Sequence, residues 1–432
     1  MIFKIYHLTL LRPIQISMNV LAILPSVIPS TIIYTIKPLT DLHRRGMLKA
    51  RIRLEFLTTR KDLEWADVVL FIRNYEWSLG WMLDELNKLQ KPFLYDLDDN
   101  FFAVPLESSF GQYLNHPARK AMIERLLTQA ALVRVYSKPL VEICSAYNPN
   151  VRLINGPFDW SLVTPRGDEE AVQGPVKIVY ATSRSIDDNL GAVFFQALDQ
   201  ILEKHGDQVE VHFWGSNPFA GRQDERIFFH PFMRDYDQFV RAFSAGRYDI
   251  GLAPLINDIF HRSKTNIKYR EYSACRIAGI YSNVDVYSDH IQHGRNGLLV
   301  ENDTQSWFEA IDWLVAHPLE RSQIAEAAYS DVLTRYSNQQ FIDELYGHLQ
   351  LARSLPVQPY QPQPGAESAA MSSMPATQAG KPLLAKILHK IRQAFVNGQI
   401  KAFFQTLSNY LKGLVHIILI QSRITLSGLH RK

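Results

Sequence analysis

Lys264, Lys268 and Glu271 stand at i, i+4 and i+7 in a segment that reads as a helix over residues 264–275. On a helix these positions share one face. Two ammonium groups beside a carboxylate suit a ligand with a diphosphate at one end and hydroxyls at the other. The lysines attract the phosphates, and the carboxylate accepts hydrogen bonds from a ribose diol. The segment follows Asp249-Ile-Gly-Leu-Ala-Pro254, which reads as a strand and its exit. Lys264 then falls at a helix N-terminus, where free N–H groups and the helix dipole favour anions. The same triplet also fits a solvated, salt-bridged face, and spacing alone leaves both readings open.

Asp96-Leu-Asp98 is a D-x-D. Hard carboxylates in that arrangement suit magnesium or manganese. It closes a strand in the first half of the chain, however, whereas the candidate phosphate site lies in the second. We therefore read it as a strand end that shapes the opposite wall of a cleft, with no metal ion, and Asp99 as a residue reaching into that cleft. His116, between Asn115 and Pro117, is a candidate for a loop at the same wall or simply a polar loop residue. His116, His261 and His293 show no metal-ligand spacing. Cys144 and Cys275 supply neither a disulfide framework nor a zinc site, and Cys275 reads as a small buried residue. G-x-S-x-G, a Walker loop and G-x-G-x-x-G do not occur in the sequence, so ordinary hydrolase, P-loop and dinucleotide motifs are excluded.

The elements that position these residues alternate between strand and helix. In the first half, strands are expected at 19–24, 54–57, 67–72, 93–97, 132–136 and 151–154. Helices are expected at 32–46, 79–89, 118–131 and 139–147. A polar stretch at 164–174 follows. The alternation then restarts, with strands at 176–180, 209–213, 248–252, 277–281 and 297–300. Helices are expected at 190–204, 236–245, 264–275, from a cap at Asn302 or Asp303, at 319–336 and at 338–352. Such alternation specifies parallel sheets covered on both faces. The fold class is α/β, with two tandem doubly wound domains. A ligand between them belongs at the carboxyl ends of the strands.

The 432 residues are 47% hydrophobic and 21% charged, enough to fold and too many for one small core. The expected organisation is an unstructured extension over 1–17, a first domain over 18–160 and a linker over 161–174. A second domain over 175–352, a disordered linker over 353–382 and a helical tail over 383–432 complete it. The net charge of +3 hides an asymmetry: residues 381–432 carry nine Lys and Arg and no acid. The remaining 37 basic groups face all 43 acidic ones. A mildly acidic body argues against nucleic acid, and a basic amphipathic tail suits an anionic membrane surface. A helical hairpin packed on the body or on another subunit also fits the tail. No run approaches the roughly 20 apolar residues of a spanning helix, and residues 1–17 lack the pattern of a signal peptide. Two cysteines in such a chain suggest a reduced cytosolic compartment.

Several stretches, in order, resemble glycosyltransferases of the GT-B fold, in the group 1, family 4-like set of the bacterial surface-polysaccharide type. Ile178-Val-Tyr-Ala-Thr-Ser183 resembles the strand that opens their nucleotide-binding domain. Asp249–Pro254 and Phe260-His-Arg-Ser-Lys-Thr-Asn-Ile-Lys-Tyr-Arg-Glu-Tyr272 resemble the donor-site strand and helix. Asn296-Gly-Leu-Leu-Val300 with Trp307 resembles the ending, and Tyr95–Asp99 and Ala131–Ser137 match in the first half. The resemblance covers about residues 18–350 and is most specific in the second half. It implies two Rossmann-like domains facing across a cleft, a nucleotide-diphosphate sugar as co-substrate and no further cofactor. It also implies retention of configuration, no metal, and a glycan or lipid-linked acceptor. With the tail, it places the enzyme in the cytoplasm, peripheral on the inner membrane face. The donor contacts it implies are Arg184, Lys264, Thr265, Lys268 and Glu271. The proposed catalytic set is Lys264, Lys268, Glu271 and Asp99. Glu271 matches the second glutamate of the family's E-x7-E. Ser263 stands at the first, and Arg276 and Ala278 stand where Gly and Pro are common. These departures keep open a non-catalytic glycan- or nucleotide-binding protein and a nucleotide-sugar epimerase.

Overall fold

The computed structural model describes residues 18–164, 174–182, 188–216, 219 and 221–359. Residues 1–17, Arg184, most of 353–382 and the tail at 383–432 lie outside them.

The described residues form two six-stranded, all-parallel sheets. The first contains β1 (Met18–Leu24), β2 (Leu48–Leu54), β3 (Val68–Ile72), β4 (Phe93–Leu97), β5 (Leu132–Val135) and β6 (Val151–Leu153), in the order β2-β1-β3-β4-β5-β6. The second contains β7 (Val176–Ala181), β8 (Val209–Trp214), β9 (Ile227–His230), β10 (Ile250–Ala253), β11 (Ala278–Ser282) and β12 (Leu298–Val300), in the order β12-β11-β10-β7-β8-β9. Strand order reverses between β1 and β3 in one sheet and between β7 and β10 in the other. Such switch points open a crevice at the carboxyl ends of their strands.

Continuous apolar runs build the centre of each sheet. All five residues of β3 and all five of β4 are buried, as two-sided coverage requires. Each buried aliphatic side chain contributes about 1.5–3 kcal/mol. Two apolar clusters cover the faces of the first sheet and two more cover the second.

The edges depart from expectation. The second strand is Leu48–Leu54, and Glu55–Leu57 is a 3-10 turn rather than a strand. Leu48-Lys-Ala-Arg-Ile-Arg-Leu54 alternates buried with partly exposed residues, the period-2 signature of an edge. β9 and the helices at Arg60–Trp65 and Ser109–Leu114 were not anticipated.

The last described helix, Asn338–Ser354, crosses the boundary expected at residue 352. Its Phe341, Ile342, Leu345, Leu349 and Ala352 join the core of the first domain. The chain thus passes between domains twice. The passages run side by side, with the Phe158 N–H donating to the Tyr336 carbonyl at 3.0 Å.

Candidate active site

The segment after β10 is built by caps. Asp258 accepts from the His261 N–H at 2.7 Å and starts a short helix, Ile259–Arg262. Ser263 ends it, donating its hydroxyl to the Ile259 carbonyl at 2.6 Å. The next helix begins only at Ile267 and runs to Ala274. The helix expected over 264–275 therefore starts three residues late, after a turn that separates it from the short helix Ile259–Arg262. Lys264 lies in the turn, so the three-residue face is not formed as expected. Two long-range bonds account for the break. Asn266 donates to the Tyr336 hydroxyl at 2.7 Å, and the Ser263 carbonyl accepts from Ser137 Oγ of the first domain at 2.8 Å.

Lys268 and Glu271 remain one turn apart on Ile267–Ala274. Lys268 Nζ lies 2.7 Å from Glu271 Oε2, and the ammonium lies 5.6 Å from the centre of the Phe239 ring. Glu271 is buried. Burial, followed by the charge of Glu271, raises the Tyr236 phenol well above its ordinary range. Thr265 accepts from Arg270 at 3.3 Å. Arg270 is itself buried, and donates to the Pro157 carbonyl at 2.8 Å and to the Tyr34 hydroxyl at 3.3 Å. Thr265 is thus engaged by an arginine that ties the second domain to the interdomain passage and the first domain.

Lys264 points across the cleft. Its Nζ lies 3.1 Å from Asp99 Oδ1, just beyond the carboxyl end of β4. The other oxygen of Asp99 accepts from Arg73 at 3.1 Å, and Arg73 also pairs with Asp98. Burial opposes the charge on Arg73, but Asp98 and Asp99 outweigh it and hold the guanidinium above its usual range. Burial raises Asp98, and Arg73 counters part of that rise. Asp96 turns to Arg134 instead, at 3.1 Å with both side chains fully buried. Burial pushes Asp96 up to about 6 despite that arginine. Asp96 and Asp98 thus face different arginines. Among the described residues no group of three or more His, Cys, Asp or Glu is placed to hold a metal.

A small cavity, partly open to solvent, lies beside Lys264 between the domains. Tyr136, Ser137, Lys138, Arg262, Asn266 and His290 help line it. Lys138 pairs with Asp289 at 2.7 Å, and Arg262 donates to Asp285 at 2.7 Å.

The structure therefore brings Lys264 and Asp99 together, pairs Lys268 with Glu271 and ties Thr265 to Arg270. His116 is placed elsewhere: it accepts from the Ala118 N–H as a helix cap, and its ring lies 5.0 Å from that of Trp77. Ser263 is fully buried, its hydroxyl bonded to the Ile259 carbonyl and its own carbonyl to the Ser137 hydroxyl. Arg276 takes a left-handed backbone, φ 54°, the conformation that glycine adopts most easily. Its guanidinium lies 4.0 Å from the Tyr329 ring centre and pairs with Glu326. Arg73, Arg270 and Tyr236 escaped the sequence reading. Arg73 had one signal: it is a charge placed directly after a fully apolar strand, Val68–Ile72.

Residues 177–317 match the family model described as Glycosyl transferases group 1. Among solved structures, the Anabaena protein HepE in complex with UDP aligns with a TM-score of 0.57 and 16% identity, over 77% of this chain and 100% of its own. Sucrose-phosphate synthase from Thermosynechococcus elongatus aligns at 0.56 and 15%, over 77% and 100%. A glycosyltransferase from Rickettsia africae ESF-5 aligns at 0.51 and 14%, over 77% and 99%. No curated protein matches by sequence. The fold is GT-B, and the match to group 1 glycosyltransferases lies within its second domain. Among the described residues no helix is long and apolar enough to cross a membrane.

Proposed function

We propose that this protein transfers a sugar from a nucleotide-diphosphate donor to a hydroxyl of a glycan or lipid-linked acceptor. The observation that carries this reading is the meeting of Lys264 with Asp99 across the cleft, 3.1 Å apart, one turn of chain before the Lys268–Glu271 pair. Glu271 receives the donor ribose, and Lys264 and Lys268 face its diphosphate. Arg184 belongs to the same set through its place after β7. The bond between the anomeric carbon and the diphosphate oxygen breaks, and negative charge builds on the departing oxygen. Cations fixed in advance where charge develops lower that barrier. Closure of the cleft excludes water that would otherwise compete with the acceptor.

The reaction retains anomeric configuration and uses neither a metal nor a protein nucleophile; this part of the reading comes from the sequence resemblance. The relatives make UDP the first nucleotide to test, since HepE structures hold UDP and UDP-glucose. The basic segment at 383–432 holds the enzyme on the cytoplasmic face of the inner membrane, near a surface-polysaccharide acceptor.

A binding-only protein is favoured by one observation, the buried Ser263 where the family motif carries its first glutamate. A thermal-shift panel of UDP, GDP, ADP, CDP and their sugars, with and without EDTA, separates the readings. One nucleotide class should stabilise the protein equally in EDTA. A ligand at a hundredfold excess over its dissociation constant adds about 2.7 kcal/mol. Stabilisation lost in EDTA would contradict the metal-free site, and no shift from any nucleotide would contradict the donor site. Turnover of the stabilising nucleotide sugar then separates an enzyme from a binding protein.

A further inference from the structure

Asp99 bridges two cations that belong to different domains. One carboxylate oxygen lies 3.1 Å from Lys264 Nζ in the second domain, and the other accepts from Arg73 Nη2 at 3.1 Å in the first. All three side chains are largely withdrawn from water, with 12% of Asp99, 14% of Lys264 and 12% of Arg73 exposed. Water therefore screens them weakly, and a close charge pair here is stronger than a surface pair.

Arg73 is held for this task in an unusual way. It takes a left-handed backbone, φ 56°, at the exit of β3, a conformation unfavourable for a residue other than glycine. Its N–H donates to the Asp96 carbonyl at 3.0 Å, and its guanidinium lies 5.1 Å from the centre of the Phe101 ring. The backbone bond and the ring hold the arginine beside Asp98 and Asp99. Lys264 extends from a turn, with its ammonium 3.9 Å from the Phe260 ring centre.

A diphosphate arriving at Lys264 meets the carboxylate already paired with that lysine. Two anions beside one ammonium repel each other. Arg73 offers the carboxylate a second partner that belongs to the same domain and does not depend on the donor. We propose that Asp99 is an internal counter-ion for Lys264, exchanged for the donor diphosphate and kept by Arg73 when it lets go. This inference rests on the donor-site reading above. The exchange frees Asp99 Oδ1 on the cleft side, where an acceptor hydroxyl can bond to it. Donor binding therefore precedes acceptor binding. Arg73 is a positioning residue, acting through Asp99.

Calorimetric titration of the full-length chain with UDP, and with inorganic pyrophosphate as a base-free probe, tests the exchange. Asp99→Asn removes the competing charge and keeps the shape. It should bind both probes about fivefold to tenfold tighter than wild type, the size expected from one close, partly screened charge. Lys264→Ala should weaken both, and adding Asp99→Asn to Lys264→Ala should gain nothing, because the gain operates through that lysine. A purely structural Asp99 predicts the opposite sign, with weaker binding and a lower melting temperature. If Asp99→Asn does not fold, Asp99→Ser makes the same comparison. Unchanged or weaker binding in a folded Asp99 variant overturns the exchange. If Lys264→Ala still weakens binding in that case, the donor site stands and only the exchange is lost. If neither probe binds wild type, both fall.

Discussion

Lys268 and Glu271 form an ion pair of 2.7 Å across one turn of the helix Ile267–Ala274, with the lysine at the surface and the glutamate beneath it. The pair fixes the orientation of a buried carboxylate, which the proposed function assigns to the donor ribose. Glu271→Gln keeps the shape and removes the charge. Hydrogen bonds to charged groups are worth about 1.5–3 kcal/mol, so UDP affinity should fall roughly tenfold to a hundredfold. Titration calorimetry checks this. An unchanged affinity would remove Glu271 from the donor site.

Gly156 lies against the Arg270 guanidinium. A Cβ built there would come within 2.4 Å of Arg270 Nη1. Gly156→Ala should therefore displace Arg270 from Pro157 and Tyr34 and cost about 1–3 kcal/mol, as overpacking does. In an Arg270→Ala background the same change should cost little. Chemical unfolding of the four proteins forms a double-mutant cycle. Additive costs would show that the clash does not control the site.

Three histidines should cost the protein stability as pH falls below neutrality, against the opposite contribution of Asp96, whose raised carboxyl adds stability over the same range. Burial, and then the charge of Arg335, depress His290 to about 4. Burial also lowers His348 to about 4 and His212 to about 3. Their unfolded pKa values are near 6.5 (about the model-peptide value). The unfolded chain thus binds protons first as pH drops. Stability is full above about 6.5 and is lost as pH falls through the folded values. Melting temperature should decline from pH 6.5 toward 4, and His290→Gln should flatten the decline. An identical slope in the variant would exclude His290 as a source.

The tail at 383–432 makes a separable prediction. Each Lys or Arg close to an anionic bilayer is worth about 1 kcal/mol. The full chain should sediment with phosphatidylglycerol vesicles at low salt and detach as salt rises. A chain ending at residue 359 should stay in the supernatant and still bind UDP. Equal sedimentation of both proteins would place membrane contact elsewhere or nowhere.

The sequence made the sheet interiors legible and hid much of the rest. β3 and β10 are central strands legible as apolar runs, because both of their faces are covered. β2 carries Lys49, Arg51 and Arg53 on its less buried side. β9 has four residues, with Phe228 and Phe229 exposed. Edge strands such as these lack the continuous apolar signal. Lys264 was identified as a candidate but assigned to the wrong local structure. It lies in the turn before the helix Ile267–Ala274, a turn held by Asn266, whose partner Tyr336 lies 70 residues away. Its ion-pair partner, Asp99, is 165 residues away. Local periodicity carries neither contact. Arg184 lies outside the described residues, so its role rests on sequence position.

The most direct test of the central claim is the release of nucleoside diphosphate from the nucleotide sugar that best stabilises the protein. Wild type and Lys264→Ala should be compared under the same conditions, with EDTA present. The account predicts steady release by wild type and a loss of about 100-fold or more in the variant, the cost of removing a preorganised charge from a leaving group. Equal release by the two proteins, or none by a wild type that binds the donor, would contradict it.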